Sequence, residues 1–227
     1  MSTETAKDAD RFTEELRATA GEEWEKIVHH KFTNEIAAGT IDNDVLKRYL
    51  IQDFRFLDAF VQLLCSIIAK ARSLGDRIPL CQFAAVITSK EATYFQRCFD
   101  KLGVSDEERD NTPDADCTIG FTNLMANTAH NGTLIEMLAV ITVCEWSYMS
   151  WGNRVLGGTV RERFECFEWV DLHTGENFES IVNHLRYMLD KEGAAENADS
   201  DAKKAATKKF MEAVQLEQDF FNFAYNA

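Results

Sequence analysis

Apolar residues recur every three or four positions along most of this chain, the spacing that places side chains on one face of an α-helix. A first segment of this kind ends near His30, and a longer one follows the capping-type residue Asp42. The longer segment carries an apolar stripe from Leu46 to Ile67, which is typical of a helix that buries one face. It predicts a core helix of about seven turns.

The rest of the chain continues the same pattern, and one segment lacks a polar face. Residues Leu134 to Leu156 are apolar on nearly every side, which predicts a central helix covered by several neighbours. Gly75 and Pro79 predict a connection, and the acidic run SDEERDNTPDADC predicts a surface loop. The segment KEGAAENADSDAKKAA predicts either a mobile loop or the opening turn of the last helix. Further helices are expected over 83–102, 118–128, 164–172 and 178–189, with a final stripe over 210–224.

The composition favours helices and excludes many-stranded architectures. The 227 residues include only 2 prolines and 11 glycines, far fewer turn-forming residues than a β-sandwich or β-barrel needs. Hydrophobic residues make up 45% of the chain, which is enough for a substantial core. We therefore expect an all-α fold in which residues 1–227 form a single helical domain.

The charge balance and the cysteines narrow the range of partners. The 24 Lys and Arg against 38 Asp and Glu give a formal charge of -14 with no cationic cluster, so no nucleic acid partner is expected. No apolar run reaches the roughly 18 residues that span a bilayer, and the start MSTETAKDADRF lacks the apolar core of a signal peptide. These features predict no membrane association and a cytoplasmic location. The 6 cysteines form no CxxC pair and no Cys/His cluster, so neither a zinc site nor a disulfide framework is predicted.

Three acidic residues interrupt apolar stripes and lie among aromatic residues in the sequence. They are Asp53 in YLIQDFRFL, Glu145 in VITVCEWSYMSW and Glu217 in AVQLEQDFFNFAY. A carboxyl group in an aromatic-walled pocket of low dielectric can orient an amidine-like ring or move a proton. Each acid can instead cap a neighbouring helix or pair with an arginine, and the residues alone leave both interpretations open.

Cys144 and Tyr148 form a second candidate constellation. They are four positions apart, so on a helix their side chains lie on the same face. A thiolate is a strong nucleophile, and a phenol can donate a hydrogen bond to it or to a leaving group. A buried cysteine can equally be a small inert hydrophobic residue, and none of the five histidines is identifiable as its partner.

Four short motifs follow one another along the chain at compatible spacing. They are YLIQDFRFL, VCEWSY, EWVDLHTGENF and LEQDFFNFAY, and they are preceded by WEKIVHHKFTNEIAAGT. Together they resemble the motifs of the TenA family, the thiaminase II group of thiamin salvage enzymes, over nearly the whole chain. The resemblance implies an all-helical, haem-oxygenase-like bundle that is usually a homotetramer.

The resemblance also implies a reaction and roles for individual residues. Family members hydrolyse 4-amino-5-aminomethyl-2-methylpyrimidine to the hydroxymethyl pyrimidine and ammonia, and some cleave thiamin itself. Cys144 corresponds to the nucleophile and Glu217 to the catalytic glutamate. Asp53 corresponds to the pyrimidine-binding aspartate, and Tyr148 corresponds to the tyrosine of the cysteine motif and is expected to be catalytic. This chemistry requires no metal and no organic cofactor, and the implied partner is a small-molecule pyrimidine.

Four further positions are expected to bind substrate although they depart from the family pattern. Phe56 and Phe121 stand where many members have tyrosines, and His173 replaces a pocket tyrosine, so ring-stacking side chains remain while hydroxyl donors are lost. Glu145 matches a second subclass, which lacks the cysteine and carries a glutamate three residues before the equivalent tyrosine. This chain satisfies both patterns.

Three functions therefore remain open at the level of sequence. The leading one is a cysteine-dependent aminopyrimidine aminohydrolase. The second is a cysteine-independent hydrolase of an N-formyl aminopyrimidine or another amide. The third is a non-catalytic pyrimidine-binding or regulatory protein, which the replaced tyrosines favour. Haem binding is disfavoured, because a fold does not fix function and no axial histidine is evident.

Overall fold

The structure is a computed structural model that describes residues 11–226 as a succession of helices. The α-helices, numbered in chain order, are α1 Phe12–Val28, α2 Lys31–Ala37, α3 Asn43–Lys70, α4 Leu74–Val86, α5 Ala92–Leu102, α6 Asp106–Asn111, α7 Asp116–Asn131, α8 Leu134–Val155, α9 Phe164–Leu172, α10 Gly175–Ala194 and α11 Asp201–Asn226. A π-helix, Ile87–Glu91, joins α4 to α5. No β-strand occurs among the described residues, and the prediction of an all-α fold is confirmed.

Two expectations involve the ends of the chain. The single domain was predicted to span residues 1–227, and the polar start of the sequence was used to argue against a signal peptide. Residues 1–10 and 227 lie outside the described residues, so both expectations fall partly beyond what the structure describes.

The central helix of the bundle is α8, as its apolar pattern predicts. It packs against α1, α3, α10 and α11. Nearly every residue from Ile135 to Tyr148 is buried, because helices cover α8 on all sides. At its start, Glu136 accepts a hydrogen bond from the Thr133 amide at 2.8 Å, which satisfies a donor that the helix itself leaves unpaired. Even so, no helix within residues 11–226 combines the length and the apolar character needed to cross a bilayer.

The long helix predicted after Asp42 is α3. The Asp42 side chain accepts a hydrogen bond from the Asp44 amide at 2.8 Å and caps the first turn, as the sequence indicated. The apolar stripe of α3 packs mainly against α7, and also against α4, α8 and α11. This placement puts the middle of α3 beside the middle of α8, where the candidate residues lie.

The predicted connection around Gly75 and Pro79 is wrong, because both residues lie inside α4. Ser73 caps this helix by accepting a hydrogen bond from the Asp76 amide at 3.1 Å. Pro79 lacks a backbone donor, which removes one hydrogen bond early in the helix without ending it. Tertiary packing of Leu80 and Phe83 in the core offsets that loss.

The acidic run predicted as a surface loop is exposed but contains the short helix α6. Ser105 caps α6 by accepting a hydrogen bond from the Glu108 amide at 3.0 Å, and three acids in its first turn interact favourably with the helix dipole. The later polar segment from Lys191 to Ala206 divides into the end of α10, a short connection and the opening of α11. The opening of the last helix therefore accounts for residues 201–206 only, and a connection over residues 195–200 precedes it.

Candidate functional site

A cavity lies where the middle of α3 meets α7, α8, α9, α11 and the π-helix. Its empty space amounts to about 480 Å³, part of it open to solvent. Small-molecule sites are concave and mostly apolar, with a few polar groups. The lining side chains are Asp53, Phe56, Leu57, Phe60, Ile87, Glu91, Phe121, Cys144, Glu145, Tyr148, Trp169, His173, Glu217 and Phe220.

All eight residues singled out in the sequence line this one cavity. They are Cys144, Glu217, Tyr148, Asp53, Phe56, Phe121, Glu145 and His173. They come from five separate parts of the chain, so only the packing of the helices brings them together. The chemical role of each one stays a prediction.

Helical spacing explains how each helix presents its share of the lining. On α3, Asp53 and Phe56 are three positions apart and face the same side. On α8, Cys144 and Tyr148 are four positions apart and also share a face. Glu217 lies on the face of α11 that packs against α8.

The Cys144 thiol faces the cavity and is almost completely buried. Its Sγ also donates a long hydrogen bond of 3.5 Å to the Val140 carbonyl in the preceding turn. Burial, followed by the negative charges of Glu217 and Glu145, raises the pKa of the Cys144 thiol well above its ordinary value. The resting group is therefore a neutral thiol, and it needs a base before it can act as a nucleophile.

Glu217 is the base nearest to that thiol. Burial raises the pKa of Glu217 to about 8, and a hydrogen bond with Cys144 opposes the rise. The side chain is 4% exposed. A carboxyl group that titrates near neutral pH can both accept and return a proton, which suits general acid and base catalysis.

Asp53 is buried beside two tyrosine hydroxyl groups. Burial raises the pKa of Asp53 well above its ordinary value, the charges of Glu91 and Glu217 add to the rise, and a hydrogen bond with Tyr49 opposes it. The Tyr49 hydroxyl also lies 2.5 Å from the Tyr148 hydroxyl, and either oxygen can be the donor. Tyr49 therefore connects the α3 acid to the α8 phenol.

Aromatic rings form the walls of the cavity. Phe56 and Phe121 meet edge to face, with ring centroids 5.0 Å apart. On another part of the wall, the ring centroids of Trp169 and His173 lie 4.4 Å apart, and those of His173 and Tyr148 lie 4.7 Å apart. Such a lining presents flat apolar faces, which fit a small aromatic ring.

His173 is neutral in this environment. Burial lowers the pKa of His173 to about 4, and a hydrogen bond with the Trp169 carbonyl opposes the fall. Its Nδ1 lies 2.7 Å from that carbonyl oxygen and, since a carbonyl only accepts, carries the proton. The other ring nitrogen is consequently an acceptor.

Sequence reasoning missed Glu91 and Tyr49. Glu91 closes the π-helix and faces the cavity. It continues the helical stripe that Phe83 and Ile87 begin and Tyr94 extends, so the rule applied to the other acids, a carboxyl on an apolar stripe, also selects it. Tyr49 is one turn before Asp53 on α3 and completely buried, and sequence gives no sign that its hydroxyl meets that of Tyr148.

The charges of the cavity are all of one sign. Four carboxyl groups line it, those of Asp53, Glu91, Glu145 and Glu217, and no lysine or arginine is among its lining residues in the described chain. The capping or arginine-pairing alternative is not realised for the predicted acids within residues 11–226. No three His, Cys, Asp or Glu side chains of these residues are arranged to hold a metal ion.

Comparisons with known proteins agree with the motifs. The TENA/THI-4/PQQC family model matches residues 17–227. An aminopyrimidine aminohydrolase of Halalkalibacterium halodurans is 26% identical over 205 residues, which cover 89% of this chain and 90% of that protein. The aminopyrimidine aminohydrolase of Bacillus subtilis is 25% identical over 219 residues, 95% of this chain and 90% of that protein. The crystal structure of a TenA family transcription regulator from a Silicibacter species has a TM-score of 0.84 at 19% identity, covering 96% of this chain and 97% of that one.

Proposed function

Because the chain belongs to the TENA/THI-4/PQQC family, we propose that it is an aminopyrimidine aminohydrolase of the thiaminase II type. Its substrate is 4-amino-5-aminomethyl-2-methylpyrimidine, which it hydrolyses to the hydroxymethyl pyrimidine and ammonia. The observation that supports this best is a single aromatic-walled cavity that contains the Cys144 thiol, Glu217 and Asp53. The two relatives named for this activity support it over most of the chain.

Asp53 binds the aminopyrimidine ring. A protonated carboxyl group can donate to a ring nitrogen and accept a hydrogen bond from the adjacent amino group. Burial raises the pKa of Asp53 well above its ordinary value, which favours the protonated form that donates this hydrogen bond to the ring nitrogen. Phe56, Phe121 and Tyr148 contact the faces and edge of the ring.

Cys144 opens the reaction with help from Glu217. The ionised Glu217 carboxylate takes the thiol proton, and the sulfur adds to the ring carbon next to the one that carries the aminomethyl group. The electron pair of the ring double bond moves toward the exocyclic carbon and expels the amine. Glu217 gives its proton to the departing nitrogen, which leaves as ammonia.

Water completes the turnover. Glu217 removes a proton from a water molecule, and the resulting hydroxide adds to the exocyclic methylene. The electron pair returns to the ring and releases the Cys144 sulfur, which recovers a proton from Glu217. The net reaction consumes one water, and both side chains return to their starting states.

A second candidate function uses Glu145 in place of the cysteine. Glu145 lines the same cavity and is 8% exposed, so a cysteine-independent hydrolase of an N-formyl aminopyrimidine is compatible with the geometry. A non-catalytic pyrimidine-binding protein is the remaining alternative. The substitution Cys144→Ala separates these candidates.

A homotetrameric assembly and a cytoplasmic location are part of the proposal. Exposed apolar side chains on α4, with Leu74 at 70% and Ile78 at 48% exposure, support contact with other subunits. Light scattering against the chain mass of 25.8 kDa measures the assembly state. The cytoplasmic location stays a prediction from the sequence.

Ammonia release by the variant Cys144→Ala tests the proposed mechanism. We expect the rate to fall at least about 1,000-fold, because the covalent step loses its nucleophile. Binding of the hydroxymethyl pyrimidine, measured by calorimetry, should change less than about threefold, because Asp53 and the aromatic walls remain.

The matched control is Cys117→Ala on α7, which removes another buried thiol whose side chain does not line the cavity. It should keep the rate of the unmodified protein. Retained turnover in Cys144→Ala would favour the Glu145-dependent hydrolase. An unmodified protein that binds the pyrimidine and releases no ammonia would be a binding protein, contrary to the proposal.

A further inference from the structure

The π-helix places an additional carboxyl group at the cavity. Glu91 is the last residue of Ile87–Glu91, and its side chain lines the cavity from the side of α4 and α5. Short π-helical segments are uncommon and occur frequently at functional sites. Within residues 11–226 the Glu91 carboxyl group forms no hydrogen bond or ion pair, and burial raises its pKa to about 8.

Glu145 faces the same space from α8 and is also without a partner in the described chain. It is 8% exposed, and burial raises its pKa well above the ordinary value, followed by the charges of Glu91, Glu217 and Asp53. Both carboxyl groups line the cavity without an ion pair to any described residue, so their oxygens are available to a polar group of a ligand bound there. Glu91 and Glu145 line the same cavity, and of these three charges that of Glu91 raises the pKa of Glu145 most.

The reaction proposed above leaves both groups without a role. Asp53 holds the ring, and Cys144 and Glu217 perform the chemistry. The titratable groups that surround Glu91 in the cavity are Asp53 from α3, Cys144, Glu145 and Tyr148 from α8, His173 after α9 and Glu217 from α11. None of them is cationic, since burial keeps His173 neutral. A cation that pairs with Glu91 and Glu145 must therefore arrive with the ligand.

We propose that Glu91 and Glu145 form an ammonium subsite, which binds the protonated aminomethyl group of the substrate and takes up one of its protons. This inference rests on the proposed function and deepens it. A primary aliphatic amine enters from neutral water as an ammonium ion, whereas Glu217 protonates a neutral amine as it departs. Glu91 and Glu145 supply the acceptor for the proton that the ammonium group must lose before the reaction.

The proton transfers balance over one turnover. On binding, one N–H bond of the ammonium breaks and an O–H bond forms on the ionised Glu91 carboxylate, which leaves a neutral amine hydrogen-bonded to Glu145. After ammonia has formed, it takes that proton back and leaves as ammonium. The Glu91 carboxylate is then restored, and no further reactant is needed.

Ligand selectivity in the variant Glu91→Gln tests the subsite. Calorimetry in the Cys144→Ala background compares the aminomethyl pyrimidine with the hydroxymethyl pyrimidine, which has the same ring and no amine. We expect Glu91→Gln and Glu145→Gln to weaken binding of the amine by about tenfold or more, because each removes a carboxyl group that an ammonium ion stabilises in its ionised form. Binding of the alcohol should change by less than about twofold.

The matched control is Glu162→Gln, which removes one negative charge from an exposed position outside the cavity. It should leave the preference for amine over alcohol unchanged. Equal losses for both ligands in Glu91→Gln, or no loss for either, would overturn the subsite. If the unmodified protein released no ammonia, the proposed function would be overturned instead. The two outcomes are distinguishable, because the binding comparison does not depend on turnover.

The pH dependence of kcat/KM gives a second readout that a purely structural role would not change. Without Glu91 the substrate must enter as the neutral amine. The ratio of kcat/KM between the unmodified enzyme and Glu91→Gln should therefore shrink as the pH rises above the pKa of the amine. A deficit that is constant with pH would contradict proton uptake by Glu91.

Discussion

Burial raises the pKa values of the individual carboxyl groups in this cavity. Asp53, Glu145 and Glu217 lie among aromatic side chains, where the charged form of a carboxyl group is destabilised. No lysine or arginine lines the cavity in the described chain, and the hydrogen bonds to Asp53 and Glu217 offset burial only in part, so the pKa of each group is raised. The same environment raises the pKa of the Cys144 thiol, and the proposed mechanism therefore assigns removal of its proton to Glu217.

The pH dependence of kcat/KM should reveal the ionisation of Glu217. The rate is expected to rise with pH and level off above about pH 8, because burial raises the pKa of Glu217 to about 8 and its ionised form takes the thiol proton. Ammonia release measured across the range from about pH 5.5 to 9.5 provides the profile. Glu217→Gln should lower kcat by roughly 100- to 10,000-fold.

The exposed residue Glu212 on the same helix provides the control for this profile. Glu212→Gln should retain both the rate and the inflection of the unmodified enzyme. A profile without an inflection between about pH 7 and 9 in the presence of Glu217 would contradict its assignment as the base.

At the scale of helices, a close approach of α8 to the end of α9 fixes one wall of the cavity. Gly152 on α8 lies against the backbone of His173, where an added Cβ would be 2.9 Å from the His173 carbonyl oxygen. Backbone atoms cannot move aside as a flexible side chain does. The glycine therefore permits the approach that holds the His173 ring against Tyr148 and Trp169.

Gly152→Ala should displace this wall. We expect a loss of about 1–3 kcal/mol in the free energy of unfolding, because the methyl group overpacks a rigid contact. KM should rise, since His173 shifts at the substrate site. Urea denaturation measures the first effect and steady-state kinetics the second.

Gly157 provides a comparison, because an added Cβ there meets nothing within 4 Å. Gly157→Ala should leave stability within about 0.5 kcal/mol of the unmodified protein and KM unchanged. If Gly152→Ala were equally neutral in both measurements, the close contact between α8 and His173 would not determine the wall.

At the scale of the whole molecule, the buried acids connect the site to stability. Burial raises the pKa of both Glu91 and Glu217 from 4.5 to about 8. Between these values the folded protein binds more protons than the unfolded chain, so the free energy of unfolding decreases as the pH rises from about 4.5 to about 8. Ionisation of these two acids is therefore expected to reduce the free energy of unfolding most at and above about pH 8.

The Tm of the ligand-free protein should accordingly be lower at about pH 8 than at about pH 5.5. Glu91→Gln removes one of the responsible groups and should raise Tm at the higher pH by at least about 2–4 °C, with a smaller change at the lower pH. Calorimetric melting across this range measures the effect. Glu162→Gln should show the same change of Tm with pH as the unmodified protein. If Glu91→Gln also showed that same change, Glu91 would not be one of the acids responsible for it.

Sequence reasoning predicted most of the architecture, because helical periodicity is a local property. The caps at Asp42 and the stripe of α3 followed from residues within a few positions of one another. The same local reasoning failed at Gly75 and Pro79, because the cap at Ser73 and the packing of α4 outweigh a turn-like composition. The π-helix before α5 was not expected, since no residue type specifies it.

The candidate site could be selected from the sequence, whereas its chemical state could not. Motif resemblance selected Asp53, Cys144 and Glu217, and all three line the cavity. Their protonation depends on which groups other helices bring beside them, and Glu91 and Tyr49 escaped notice although both interact with Asp53. Spacing could have placed Glu91 on an apolar stripe and Tyr49 on the face of Asp53, but not their contacts with groups from other helices.

The sequence by itself determined a helical protein with its family motifs in order, because side-chain periodicity and short motifs are properties of neighbouring residues. Only the tertiary structure decided that four carboxyl groups face one cavity without a lysine or arginine in its described lining. The physical reason is that desolvation and pairing are set by contacts between helices distant in the chain. Those contacts turn acids that are ordinarily charged into groups able to exchange protons near neutral pH.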